Sequence, residues 1–275
     1  MAHAIDLVLE WPVDVVAAAS IIDDEVAIVG SHEHRFPLAS LTKLATALAV
    51  LIAVEEGTLA LADDVATLLE LPDLAPLRLD DLLSHSSGLA PDAPARRLAP
   101  AAQRRIYSNT GYELAAEAVA RRSEIPFATY LHDAVFAPLA MRSTALIGSP
   151  ASGAVSSIGD VLMLLRELRT PRLVSSETHQ RMVSPRHAGI SGVLPGFGRQ
   201  ADNSWGLGPE IRDGKSPHWT GMMNSPRTYG HFGRSGTFLW FDPTAHRGVV
   251  ALTTREFGNW AMVAWPRLSD AILSQ

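Results

Sequence analysis

Apolar and polar positions are most legible at the two ends of the chain. Val15 to Ile22 and Val26 to Val29 are apolar, β-branched runs joined by Asp23-Asp24-Glu25, which predicts a hairpin. Near the other end, Thr237 to Phe241, an Asp242-Pro243 turn and Gly248 to Thr253 predict a second antiparallel pair. Between them the period changes. The apolar run from Leu44 to Val54 is 11 residues long, short of the roughly 18 expected of a membrane span. It suits a helix buried on all sides, beginning near Ser40 and ending at Gly57, whose freedom at positive φ favours a C-terminal cap.

From about Leu59 to Thr170 the pattern is mostly helical, cut into short pieces by Pro72, Pro76, Pro91, Pro94 and Pro100. The clearest helices are Gly111 to Arg122, Pro126 to Phe136, and Val161 to Leu168 with Ser156 and Ser157 as capping candidates. A closing helix is expected over about Pro266 to Leu273. Strands at both ends with helices between predict an α+β fold. One antiparallel sheet is built from the two termini within a single domain over residues 1–275, and a helical insertion covers about 59–185.

Composition narrows the function classes. A chain of 275 residues with 47% hydrophobic content can bury a core without disulfide or metal support. The formal net charge of -6, with no basic stripe, argues against nucleic acid or an anionic membrane surface as partner. Cysteine is absent, which removes thiolate nucleophiles and thiolate metal sites. Asp6, Glu10 and Asp14 interrupt the first residues where a secretory leader would be apolar, so a cytoplasmic protein is expected.

The chemistry begins with a misplaced charge. Lys43 stands in the first turn predicted for the apolar helix, facing the positive end of its macrodipole, at a position where a structural capping box would put Glu or Gln. Burial and the dipole both favour the neutral amine, and Ser40, three residues earlier, shares its helical face. An amine tuned to about 7–8 beside a hydroxyl is a usable base. Unpaired amides at the same helix end can hold an oxyanion. The bland alternative is Ser40 as a plain cap beside a solvated lysine.

Two further clusters stand in order along the chain: Tyr107-Ser108-Asn109, and His231-Phe232-Gly233-Arg234-Ser235-Gly236 entering the C-terminal strand pair. Taken singly, Tyr107 reads as a half-buried aromatic, Asn109 as a helix cap and His231 as a strand residue. Together, Ser-x-x-Lys, Tyr-x-Asn and a basic residue-x-Gly resemble the serine β-lactamase and penicillin-binding protein family. Leu82 to Leu89, Pro138 to Met141, Ser156 to Asp160 and Trp205 to Gly208 are similar to its class C and esterase branch.

The resemblance implies a β-lactamase/transpeptidase-like fold and an acyl-enzyme on Ser40, with Lys43 taking its proton and Tyr107 passing one to the leaving group. Asn109 would bond the amine or the substrate amide. The amides of Ser40 and Arg234, beside Gly233, would form the oxyanion hole. It implies no cofactor and no metal. His231 stands where most β-lactamases have a lysine, which removes a fixed charge and favours a small to medium ester or amide over a carboxylate-bearing β-lactam. A carboxylesterase is thus expected ahead of a DD-carboxypeptidase, a D-aminopeptidase, a weak β-lactamase or a non-catalytic sensor of the same fold.

Other candidates carry less. His32-Glu33-His34 reads as a solvated loop rather than a metal site. Gly233 to Thr237 lacks the last glycine of a nucleophile elbow. Lys215 and Arg227 read as surface residues able to meet an anionic substrate. Met222 and Met223 with Trp219 would line an acyl pocket or fill core.

Overall fold

The computed structural model describes residues 3–275. Its main sheet has six strands in the order β2-β1-β11-β10-β9-β8, every neighbouring pair antiparallel. β1 (Val16–Ile22) and β2 (Glu25–Gly30) are the expected hairpin, and β10 (Thr237–Asp242) and β11 (Arg247–Thr253) the expected C-terminal pair. β8 (Glu210–Ile211) and β9 (Tyr229–Gly233) extend the sheet beyond β10. Pairing of β1 with β11 brings the two ends of the chain together, Val16 opposite Thr253.

Both faces of the sheet are covered, and side-chain alternation decides what each strand residue meets. Leu239, Phe241, Val250 and Leu252 point into the core shared with the helices. Phe238, Trp240, Val249 and Ala251 point the other way, onto Trp265, Leu268 and Ile272 of the C-terminal helix. Ile5 and Val8, in an N-terminal 3-10 helix at Ala4–Glu10 that hydrophobic patterning did not signal, close this second core.

That last helix, α8 (Asn259–Leu273), starts seven residues before the expected Pro266, which lies inside it. A proline removes one helical N–H and leaves the carbonyl four residues earlier without its donor. Here that carbonyl belongs to Met262, on the solvent side, where water can serve it. Buried Ala261 and Trp265 hold the first half of the helix in place.

α1 (Thr42–Glu55) is the central helix, and every residue from Thr42 to Ala53 is buried. Its leucines Leu44, Leu48 and Leu51 are enclosed, each contributing roughly 1.5–3 kcal/mol, enough together to tolerate an unfavourable polar neighbour. Gly57, at φ 76°, ends the helix as expected, with the Thr58 amide donating to the Ala53 carbonyl. The helix begins at Thr42 rather than Ser40, which occupies a 3-10 turn at Ala39–Leu41.

The middle of the chain is less helical than the pattern suggests. α2 (Val65–Leu68) and α3 (Leu79–Leu83) are short, and Ser84 to Ser108 contains neither helix nor ladder strand. α4 (Asn109–Ser123) packs on α1; α5 (Phe127–Leu131) continues into a π turn at His132–Phe136. α6 (Ile158–Arg169) is capped by the Ser157 side chain, and α7 (Ser176–Met182) follows. A small sheet joins β3 (Phe36–Pro37), β5 (Ala154–Ser156) and β4 (Ala145–Leu146), and β6 (Gly192–Leu194) pairs with β7 (Gly198–Gln200) as a hairpin. No helix among the described residues is long and apolar enough to cross a membrane.

Candidate active site

Ser40 is held in place from two sides. On one, the Leu38 amide donates to the Ala154 carbonyl at 2.8 Å and the Ala154 amide donates to Thr42 Oγ1 at 3.0 Å. On the other, Ser235 Oγ donates to the Pro37 carbonyl at 2.7 Å and Thr237 Oγ1 to the Leu38 carbonyl at 3.0 Å. Gly233 makes the closest approach: a Cβ there would lie 2.5 Å from the Leu38 carbonyl oxygen. The sheet edge and the serine turn form one block as a result. Ala39, at φ 46°, is a non-glycine residue in the left-handed region next to Ser40, a strain worth about 1–3 kcal/mol that this stitching holds in place.

Arg234 follows Gly233 with its side chain in solvent, 3.7 Å from Glu256, while its carbonyl accepts from the Phe257 amide at 2.8 Å. Among the described residues, neither the Arg234 amide nor the Ser40 amide donates to another protein group.

Lys43 is fully buried, and its Nζ lies 2.7 Å from Asn109 Oδ1, 2.8 Å from the Ala151 carbonyl and 3.4 Å from Ser40 Oγ. None of the three is a carboxylate. Burial lowers its pKa to about 7, against the opposing pull of Glu113 and Asp92. Asp92 stands one group back and Glu113 two. Glu113 accepts from Ser149 Oγ at 2.7 Å, Ser149 Oγ accepts from the Ala151 amide at 3.1 Å, and Asp92 accepts from Asn109 Nδ2 at 2.8 Å. A neutral amine has two N–H groups and one lone pair. The two short contacts take the N–H groups, so the lone pair is left for the Ser40 hydroxyl.

Asn109 is not the cap of its helix. Ser108 caps α4, accepting from the Gly111 amide at 3.0 Å, which frees the Asn109 amide to bridge Lys43 and Asp92. Tyr107 lies beside the amine, its ring centroid 4.8 Å from Nζ, and its buried hydroxyl completes no hydrogen bond among the described residues. Burial pushes this phenol up, partly offset by the neighbouring Ser40 hydroxyl, so it stays protonated at neutral pH.

The sequence assigns His85, within Leu82 to Leu89, no role. The structure does: the His85 carbonyl accepts from the Ile106 amide at 3.0 Å and its Nδ1 from the Ser108 amide at 3.1 Å, so one residue grips the chain on both sides of Tyr107. Its ring lies 4.4 Å from that of Tyr107, tilted by 36°, and its backbone sits at φ 58°. A histidine in a segment with no periodicity was the only available signal. His231 is buried on β9, where Nδ1–H donates to the Phe232 carbonyl at 2.7 Å and leaves Nε2 an unpartnered acceptor. Burial, then the neighbouring Lys43, lower its pKa to about 3. It is neutral.

Ser40, Tyr107, Asn109 and His231 line one cleft of about 660 Å³, walled also by Trp205, Phe232 and Phe257. Other expectations are corrected. Lys215 is not a surface residue: it is 2% exposed and pairs with Glu210 at 2.8 Å. Met222 and Met223 neither line an acyl pocket nor fill core, being 82% and 55% exposed, whereas Trp219 belongs to the second core. Arg227 is exposed as expected but lines a separate cavity near α7. His32, Glu33 and His34 sit outside helix and strand, with His34 packed on Phe36.

Known proteins share the fold of this chain. The Beta-lactamase family model matches residues 30–273. A β-lactamase from Mycobacterium bovis superposes with a TM-score of 0.92 at 44% identity, covering 98% of both chains. EstCE1, described as a hydrolase with promiscuous acyltransferase activity, gives 0.82 at 18% identity over 98% of this chain and 96% of its own. A mutant of simvastatin synthase from Aspergillus terreus gives 0.79 at 15% over the same shares. These last two speak for the fold alone. No curated protein matches the chain.

Proposed function

Since the chain belongs to the β-lactamase family, whose members are serine hydrolases, we propose that it hydrolyses small to medium esters through an acyl-enzyme on Ser40. One observation carries this reading. A buried amine with a pKa lowered to about 7 spends its two N–H groups on carbonyl-type oxygens and turns its remaining position to a serine hydroxyl.

Ser40 Oγ attacks the ester carbonyl as its proton passes to Lys43, forming the Oγ–C bond. The Ser40 and Arg234 amides, free of protein acceptors, receive the oxyanion. As the carbon–oxygen bond to the alcohol breaks, Tyr107 donates its proton to the departing oxygen and regains one from Lys43. Its raised pKa suits relay rather than a standing phenolate. Water then attacks the acyl group along the same path in reverse. Asn109 keeps the amine aimed. The neutral His231 offers an acceptor and no charge, which supports an ester ahead of a substrate whose carboxylate must be met at that wall.

The test is covalent labelling. A fluorophosphonate should modify the peptide containing Ser40, Ser40→Ala should lose the label, and p-nitrophenyl butyrate should turn over. An adduct on another residue overturns the assignment. A stable acyl-enzyme with no product release identifies a sensor instead.

A further inference from the structure

The cleft does not end at Tyr107. A second groove of about 690 Å³ adjoins it, with Tyr107 and Pro195 belonging to the walls of both. Its sides are apolar, formed by Leu98, Ile106 and the exposed Val193, and two guanidinium groups, those of Arg104 and Arg199, border it. No carboxylate among the described residues lines it. Among the described residues neither Arg104 nor Arg199 enters an ion pair, although seven other arginines do. Arg104 makes one long contact, 3.5 Å to the Leu98 carbonyl.

The arginines are held together by the fold. Arg199 on β7 stands across the hairpin from Val193 on β6. That hairpin is fastened to the segment carrying Arg104: the Arg105 amide donates to the Ser191 carbonyl at 2.8 Å, and a Cβ on Gly192 would lie 2.7 Å from the Arg105 side chain. Arg105 itself turns inward and spends its guanidinium on the carbonyls of Ser84, Asn203, Arg186 and His187. Two like charges are thus kept at one apolar groove without a counterion from the chain, an arrangement that an anion relieves.

Resting on the ester-hydrolase reading, we infer that this groove receives the leaving portion of the substrate and that Arg104 and Arg199, on its border, bind an anionic group of it, a carboxylate or phosphate. Direction follows from Tyr107. The phenol that protonates the departing oxygen stands at the junction of the two chambers, so the alcohol leaves past it into the groove. Among the described residues that wall the catalytic cleft, His231 spends its Nδ1–H on the Phe232 carbonyl, and the Arg234 side chain lies in solvent 3.7 Å from Glu256. The preferred substrate class is an ester of an alcohol bearing an apolar chain with an anionic terminus.

The test compares 6-(butyryloxy)hexanoate and 6-(butyryloxy)hexyl phosphate with hexyl butyrate. The anionic esters should be favoured at least tenfold in kcat/KM at low salt, with the ratio falling as salt rises. In Arg104→Gln/Arg199→Gln that ratio should approach one. Calorimetry with Ser40→Ala, which binds without turnover, should show the same preference and the same loss in the triple variant. Equal binding of charged and neutral esters overturns the inference, as does a preference for an anion placed only on the acyl side. Binding preference without hydrolysis leaves the groove standing and defeats the hydrolase reading.

Discussion

The chain has two lysines, both buried, and they lead opposite lives. Lys215 is matched by a charge: Glu210 lies 2.8 Å away and also accepts from His218 at 2.9 Å and from Trp219 Nε1 at 2.5 Å. Burial alone would raise the Glu210 carboxyl, yet Lys215 and His218 hold it well below the usual carboxylate range. The lysine also donates to the carbonyls of Ser204 and Ile211, so the group is a closed polar knot. Lys43 is matched only by neutral oxygens, its carboxylates held off by intervening residues. Burial lowers the pKa of both amines, yet one is opposed by a carboxylate in direct contact and the other only by carboxylates farther off. What differs is the charge of the first neighbour.

Substitution should separate the two most sharply. Lys43→Met removes the proton acceptor and a desolvated amine from an apolar helix. Ester hydrolysis should fall by about 10²–10⁴-fold, while the thermal midpoint stays level or rises. Lys215→Met should do the reverse. It strands Glu210 in the interior, at about 3–5 kcal/mol, read as a lower denaturant midpoint, with turnover per folded molecule far less affected. Adding Glu210→Gln should recover part of that loss. Identical behaviour of the two methionine variants would erase the distinction.

Acidity sharpens the comparison. With the amine pKa lowered to about 7, kcat/KM should rise about tenfold per pH unit below neutrality and level off above it. The stability contribution has the same sign. Between about 7 and 10.4 the unfolded lysine binds a proton that the folded one has released, so stability gains with pH across that window. A rate profile flat from pH 5 to 8 would show an amine that never titrates there.

Much of this was legible in the chain. The hairpin, the C-terminal strand pair, the buried helix and the order of the three motifs follow from period and residue type. The 3-10 turn of Ser40 did not, because Ala39 reaches positive φ only under bonds from β5 and the β9–β10 turn, remote in sequence. Gly-Lys-Ser-Pro reads as a surface loop until the fold brings Glu210 beside Lys215. His85 was equally hidden, since its value lies in two amides that flank Tyr107.

The smallest expected effect tests that grip. His85→Ala should lower kcat by about tenfold with KM nearly unchanged, through a loosened Tyr107. His85→Asn should recover most of the loss, since asparagine tolerates left-handed backbone and offers an acceptor near the Nδ1 position. Equal loss in both variants would leave His85 a packing residue only.

Enclosure of both lysines also shapes what the outer surface can react with. Its positive charge is carried by arginine side chains, which resist modification by activated acyl compounds far better than a free amine does. Among the described residues the surface thus presents no lysine to acylating reagents, and coupling through amine-directed linkers should leave the folded protein's side chains untouched until it opens.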